Sequence, residues 1–237
     1  MKIAVDLHIH SGLSPCSEED MTPNNIIGMA KLKGLDAISI TDHNCLKNIP
    51  AFTQVAEEKR LLLIPGVEIT TKEDVHLLGY FRDLESALNF QQFIENNLIV
   101  MAYHEKIFGR QLLYNQYDEI IGEYPSLLLN ATKLTLREAI DAIKKFNGIS
   151  IPAHIDRGSY SILSNLGFIP PDLLINTVEL TTSCRYSSLV EKHPYLSKYK
   201  KIKSSDAHQL GDILEREVYL EVEELSISGV IEALEKM

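Results

Sequence analysis

The sequence predicts an α/β fold in which a mostly parallel sheet closes into a barrel or a distorted form of one. Three observations carry this expectation. Short β-rich runs alternate with helical patterns along most of the chain, the pattern of βαβ units. About eight such units follow one another, which favours a closed sheet over an open one. The length of 237 residues is one that α/β barrels commonly use as a single domain.

The predicted strands are Lys2–Leu7, Asp36–Ile40, Leu61–Ile64, Val75–Phe81, Ile149–Ala153, Thr177–Leu180, Lys201–Ser204 and Val218–Val222. Helices between them have readable ends. Thr22 is placed to cap a helix that opens with Pro23 and closes at Gly34. Thr135 and Glu138 have the spacing of a capping box for a helix that ends before Gly148. The stretch from about 96 to 130 is rich in Tyr, Glu and Leu without clean periodicity, and reads as an excursion over the barrel mouth. With no linker or repeat elsewhere, the expectation is one domain over residues 1–237.

Composition narrows the function classes. With 45% apolar and 24% charged residues the chain is an ordinary globule, and no apolar run approaches the ~20 residues of a membrane span. The N-terminus reads as a core strand, not a signal peptide. Three scattered cysteines argue against a disulfide framework and for a reducing, cytoplasmic setting. A net charge of −10 with no basic run predicts that long duplex nucleic acid is repelled. Neither a G-x-x-x-x-G-K phosphate loop nor a G-x-S-x-G elbow is present.

The chemistry lies at the strand ends. In Asp6-Leu7-His8-Ile9-His10, strand alternation points Asp6, His8 and His10 one way and packs Leu7 and Ile9 the other. Two imidazoles on one face can chelate an ion, although two solvated histidines on an edge strand fit the same short pattern. The second strand ends Thr41-Asp42-His43, and the third ends on Glu68, a carboxylate that needs cations if it is buried. His76 lies in the fourth strand, where a lone histidine is commonly a hydrogen-bonded core residue. Ala153-His154 and Ser205-Asp206-Ala207-His208 end two later strands. Six of the eight histidines thus fall in or just after predicted strands. Such convergence of nitrogen and oxygen donors on one rim points to a multinuclear metal site.

In this order the motifs resemble those of the PHP family, named for polymerase and histidinol phosphatase, and in particular its small stand-alone phosphoesterases. The likeness runs from Asp6 to His208. It implies a distorted (β/α)7 TIM-like barrel of PHP type and a site for two to three divalent ions, for which mixed His and carboxylate donors suit Zn, Mn or Fe. It further implies that His8, His10, Glu68 and Asp206 hold one metal, that Glu68 bridges to a second on His76 and His154, and that His43 and His208 hold a third. Glu68, Asp206 and His208 are the residues expected to serve catalysis. The family's remaining ligand falls in the longer Ser11–Thr22 loop, where Glu18 fits best beside Glu19 and Asp20. These three carboxylates also suit the N-terminus of the helix that follows. His104, in Tyr103-His104-Glu105, is an alternative to His76. Arg157 follows His154 as an arginine does in the family and is the expected phosphate grip, with a surface pair to Asp156 as the plain alternative; Lys106 and Arg110 are weaker candidates.

The expected activity is hydrolysis of a small phosphate ester, a nucleotide or a short RNA end by a metal-activated water. The expected partner is such a small phosphorylated substrate, with neither duplex nor membrane. A metal-dependent amidohydrolase, a non-catalytic PHP accessory module and a metal store are the rival readings.

Overall fold

The computed structural model of the chain describes residues 1–236. In chain order the elements are β1 (Lys2–Ile9), α1 (Pro23–Leu32), β2 (Ala37–Ile40), α2 (Ile49–Lys59), β3 (Leu62–Thr70), β4 (His76–Phe81), α3 (Leu84–Asn97), α4 (Glu105–Phe108), β5 (Leu112–Tyr114), β6 (Ile120–Glu123), α5 (Leu136–Lys145), β7 (Gly148–Pro152), α6 (Ile162–Leu166), β8 (Thr177–Leu180), α7 (Tyr186–Lys192), β9 (Lys200–Lys203), β10 (Tyr219–Glu221) and α8 (Ile227–Glu235). Each predicted strand is present, and all but one lie within two residues of their expected bounds; β3 runs on to Thr70, six residues past the expected end at Ile64. Pro23 opens α1, and Gly34 ends it in the left-handed region at φ 73°. Thr135 and Glu138 form the capping box of α5.

The sheet departs from expectation in direction and in closure. β1, β2 and β3 run parallel, but β4 is antiparallel to both β3 and β7, and β10 is antiparallel to β1. The cause is local. Only five residues, 71 to 75, separate β3 from β4, too few for a crossover helix, so the chain folds back as a hairpin. Six strands form one curled sheet in the order β10-β1-β2-β3-β4-β7, while β8 and β9 form a separate parallel pair. A complete (β/α)7 TIM-like barrel is therefore not formed as one continuous ladder. A few hydrogen bonds cross the two gaps at the rim, among them Ile155 N to Glu179 O at 2.9 Å, His10 N to Ala207 O at 2.9 Å and Ala207 N to His8 O at 3.3 Å.

Alternating residues feed two cores. One packs under α1, α2, α3 and α5 and takes Ala4, Ile38, Leu63, Val67 and Ile69 from the strands. The other takes Ile3, Val5, Leu7, Ile64, Leu78, Tyr80 and Ile151, and is closed by Val230 and Leu234 of α8. Above this second core stands the rim that carries the histidines. The excursion at 96–130 contains α4 and a β5–β6 hairpin, and does not simply span the mouth. It docks on the loop after β1, where Leu112 N donates to Gly12 O at 2.8 Å and the Tyr114 hydroxyl to Glu19 O at 2.8 Å.

β2 and β3 approach most closely beside Gly66. A Cβ there would lie 2.3 Å from Ser39 Oγ and 2.9 Å from Thr41 Cγ2. Gly66→Ala is expected to destabilise the protein by about 1–3 kcal/mol, the usual cost of overpacking. Denaturant unfolding of the variant checks this, and an unchanged midpoint would show that β2 and β3 can part without cost.

Candidate metal centre

The rim assembles because parallel strands end where an antiparallel one begins. β1, β2 and β3 bring His8 and His10, His43, and Glu68 to one edge at their C-terminal ends, and β4 brings His76 there at its start. Glu68 follows Ile64 and Gly66 on the inner face of β3 and sits in register with Leu78 of β4. The β1 segment differs from simple alternation. Its pairing with β2 shifts between Asp6 and Ile9, so that Leu7 joins one core and Ile9 the other. This irregularity puts His8 and His10 on the inner face and leaves Asp6 elsewhere. Asp6 instead accepts hydrogen bonds from Ser205 N and Leu214 N, each at 3.0 Å, and pins the last ligand loop to β1.

Glu68 is the centre of the cluster and is 1% exposed. His76 Nδ1 lies 2.8 Å from it, His43 Nδ1 3.1 Å, His154 Nε2 3.2 Å, and His8 Nε2 and His10 Nε2 3.4 Å each. Asp206 closes the far side, 3.2 Å from His8 and 3.1 Å from His10. The donor atoms form three overlapping groups: His8, His10, Glu68 and Asp206; His43, Glu68 and His76; and His10, His43 and His208. His154 reaches Glu68 without entering any of the three groups.

Hydrogen bonds behind the ligands set their tautomers. Ser14 Oγ donates its only proton to Asp42 Oδ1 at 2.7 Å, so at 2.9 Å it accepts from His10 Nδ1. Glu179 likewise accepts from His8 Nδ1, its two oxygens lying at 3.0 and 3.1 Å. Both Nε2 lone pairs then face the interior, 3.1 Å apart. Two such lone pairs repel unless a proton or a metal cation lies between them. His43 Nδ1, His76 Nδ1, Glu68 Oε2 and Asp206 Oδ1 are buried and make no hydrogen bond among the described residues, despite their close approaches to one another. Distance without hydrogen-bond geometry is what a donor set aimed at cations gives. The residues fit a metal centre on this test.

The charge balance agrees. Burial alone would raise Glu68, but His76, His8 and His43 hold it well below the usual carboxylate range. Burial also opposes a charge on His8, yet Glu179, Asp206 and Glu68 push it well above an ordinary imidazole. His10 rises against its burial to about 9 because Asp206 and Glu68 adjoin it. His43 falls to about 3 and His208 to about 4, through burial first and then the positive charge on His10. Without metal, the upward shifts favour the protonated imidazoles of His8 and His10 beside the carboxylates.

The other expected residues are placed as follows. Glu18 is exposed; its backbone N–H donates to His208 O at 2.9 Å, and its side chain belongs to none of the donor groups. His104 is exposed at the start of α4, whereas His76 is in the centre. Arg157 pairs with Asp206 at 2.7 Å and not with Asp156, whose carboxylate takes the backbone N–H and hydroxyl of Thr181. Arg110 is held by Glu19 and Glu123. Glu179 went unread in the sequence, although its setting in Thr177-Val178-Glu179-Leu180, a carboxylate inside an apolar strand, is the signal that picked out Glu68. Besides His8 it binds His154 N at 2.9 Å. Asp42, seen only as part of Thr-Asp-His, is the other support.

The chain is thus an α/β protein whose rim carries donor groups that could hold metal ions. Its residues 6–153 match the PHP domain, and it belongs to the PHP family. An uncharacterized protein of Methanocaldococcus jannaschii is 32% identical over 102 residues, which cover 38% of this chain and 58% of that one. The lesion-specific endonuclease Q of Pyrococcus furiosus has the same fold, with a TM-score of 0.73 and 20% identity over 99% of this chain. This chain spans only 56% of that enzyme. A Bifidobacterium adolescentis protein assigned as a metal-dependent phosphoesterase has a TM-score of 0.60 and 17% identity, covering 87% of this chain and 88% of its own. One finding corrects the sequence reading. Endonuclease Q has been seen in complex with a 27-mer duplex carrying an abasic lesion. A protein that shares this fold thus binds duplex nucleic acid, and the expectation that duplex is excluded does not stand, because the charge sum of a chain does not decide which local groups meet the phosphates. No helix among the described residues is long and apolar enough to cross a membrane.

The shifts of the histidines predict opposite pH responses with and without metal. His10 is raised from 6.5 to about 9 in the metal-free fold. Its contribution to stability is complete below about pH 6.5 and is lost as pH rises through 9. His43 and His208, lowered to about 3 and 4, act below that window, where falling pH favours the unfolded chain. The metal-stripped protein should thus lose thermal stability between pH 6.5 and 9, while metal affinity rises as protons leave the donors. Melting curves across this range, with and without added Mn, check both signs; a stripped protein whose Tm climbs towards pH 9 would contradict them.

Proposed function

We infer that the protein, acting as one catalytic domain, is a metal-dependent phosphoesterase that hydrolyses a phosphate ester by a metal-activated water. The observation that carries this reading is the arrangement of three donor groups that share His10, His43 and Glu68 around one buried carboxylate. His8, His10, Glu68 and Asp206 would hold one ion, His76 and His154 with Glu68 a second, and His43 and His208 with His10 beside them a third, while exposed Glu18 stands outside the donor groups. Zn, Mn and Fe all suit these donors. Divalent ions bound there supply a water of lowered pKa and neutralise charge on the phosphate oxygens.

The chain's own residues do the rest. Glu179 and Ser14 hold His8 and His10 in the tautomer that presents Nε2 inward. Burial of Glu68 keeps bulk water from screening its field. Arg157, half exposed at the rim, can release part of its guanidinium from Asp206 to a phosphate oxygen. The fold shared with a phosphoesterase and with an endonuclease supports phosphate as the group attacked, and leaves small esters, nucleotides and nucleic acid ends as the substrates to compare. An amidohydrolase reading usually calls for a lysine at the bridging position, where this chain has Glu68.

Glu68→Gln should lose metal and turnover together, because the amide keeps the shape but not the charge that offsets the surrounding cations. Metal analysis of the purified variant decides the point, and full occupancy with normal turnover would remove Glu68 from the centre. Arg157→Ala should retain the metals and raise KM for a phosphate ester by about 10- to 100-fold, the equivalent of ~1.5–3 kcal/mol for a charge-assisted hydrogen bond. Arg157→Lys should recover part of this, since an ammonium cannot form the two-pronged contact. Kinetics on a panel of mono- and diesters, run beside metal analysis, separates a phosphate grip from mere support of Asp206. Equal KM in all three proteins would assign Arg157 to the latter.

A further inference from the structure

A cavity of about 340 Å³ opens beside the metal donors, between the loop after β7 and the ends of β8 and β9. His154 and Asp206 form the wall it shares with the centre, and Arg157, Thr181, Ser183 and Ser204 line the rest. Ser204 Oγ is the telling atom: the residue is 3% exposed, and the hydroxyl has no hydrogen-bond partner among the described residues. A buried unpaired hydroxyl costs stability unless something fills its need, so it marks a place where a ligand atom is expected.

The lining also says what kind of group would enter. Its charged members are Asp156, Glu179 and Asp206 against Arg157 alone, and Arg157 is already paired with Asp206. A second anion would find no unpaired cation in this lining. Hydroxyl groups, by contrast, can donate to carboxylates and exchange hydrogen bonds with Ser204, Ser183 and Thr181. The volume of about 340 Å³ is enough for a pentose or a small polyol. Resting on the phosphoesterase reading, we propose that this cavity seats the neutral, hydroxylated group esterified to the phosphate, with Ser204 as its buried partner. The centre then takes the phosphate and the cavity selects what carries it.

The test compares ribose 5-phosphate with p-nitrophenyl phosphate, which has no hydroxylated carrier, on metal-loaded protein. Ser204→Ala should raise KM for ribose 5-phosphate about three- to tenfold, the range for one lost hydrogen bond, and leave the aryl ester unchanged. Ser183→Phe, at an exposed position on the cavity mouth, should block the sugar ester and spare the aryl one. Free ribose should inhibit aryl ester hydrolysis competitively in the wild type and less in Ser204→Ala. If the aryl ester is hydrolysed but neither variant changes the sugar ester nor ribose inhibition, the cavity has no such role while the phosphoesterase reading stands. If the wild type hydrolyses neither ester nor any other member of the panel, the phosphoesterase reading fails and this inference falls with it.

Discussion

A carboxylate buried beneath five histidines is the constraint on which the rest of this structure depends. Glu68 can stay ionised in the interior only if positive charge surrounds it, because an unpaired buried charge costs several kcal/mol. His8, His10, His43, His76 and His154 all reach it within 3.4 Å. That requirement accounts for the donors gathered at the strand ends and for two further carboxylates, Asp42 and Glu179, that stand behind the imidazoles. A histidine donating one proton outward to a carboxylate has its other nitrogen free and made more basic. Metal-binding character is thus set one layer out from the metal, in residues that no short motif names.

How much of this was legible in the sequence depends on whether the relevant contact is local. The strands were readable because each is a short apolar run with clear ends, and the donors because they interrupt those runs. The direction of β4 follows from the length of the 71–75 turn, which a helix-strand rhythm assumed elsewhere in the chain obscures. Alternation failed at one place, where a shift of pairing separates Leu7 from Ile9 and turns Asp6 away from His8. Such a shift arises from the partner strand and leaves no mark in Asp-Leu-His-Ile-His itself. Glu179 is intermediate: its pattern is visible, but its partner lies 171 residues away. Arg157 was readable as a rim cation, and its partner Asp206 was not.

Net charge misled where local charge decides. A value of −10 describes the field far from the surface, which ions screen within about 8–10 Å. Close to the rim, the balance is between Glu68, Asp206 and Glu179 on one side and the imidazoles, Arg157 and any cations the donors would take up on the other. Much of the negative sum in this region is the donor set itself, so it counts against anions only while the centre lacks its cations.

The backbone carries the same logic to the strand ends. His154 and Asp206, both ligand candidates, have positive φ values of 28° and 55°, as do Asn44 and Tyr160 beside them at 52° and 54°. Non-glycine residues in this region are strained by roughly 1–3 kcal/mol each and persist only where surrounding contacts over-determine them. Those contacts are present. Asn44 receives Thr70 N and donates to Leu128 O, Tyr160 O accepts from His76 N, and Ser205 next to Asp206 is tied to both Asp6 and His8 O. The strain accompanies the gathering of donors from six separate segments into one small volume, and the hydrogen bonds that offset it explain why polar residues with no donor atom in the centre cluster around it.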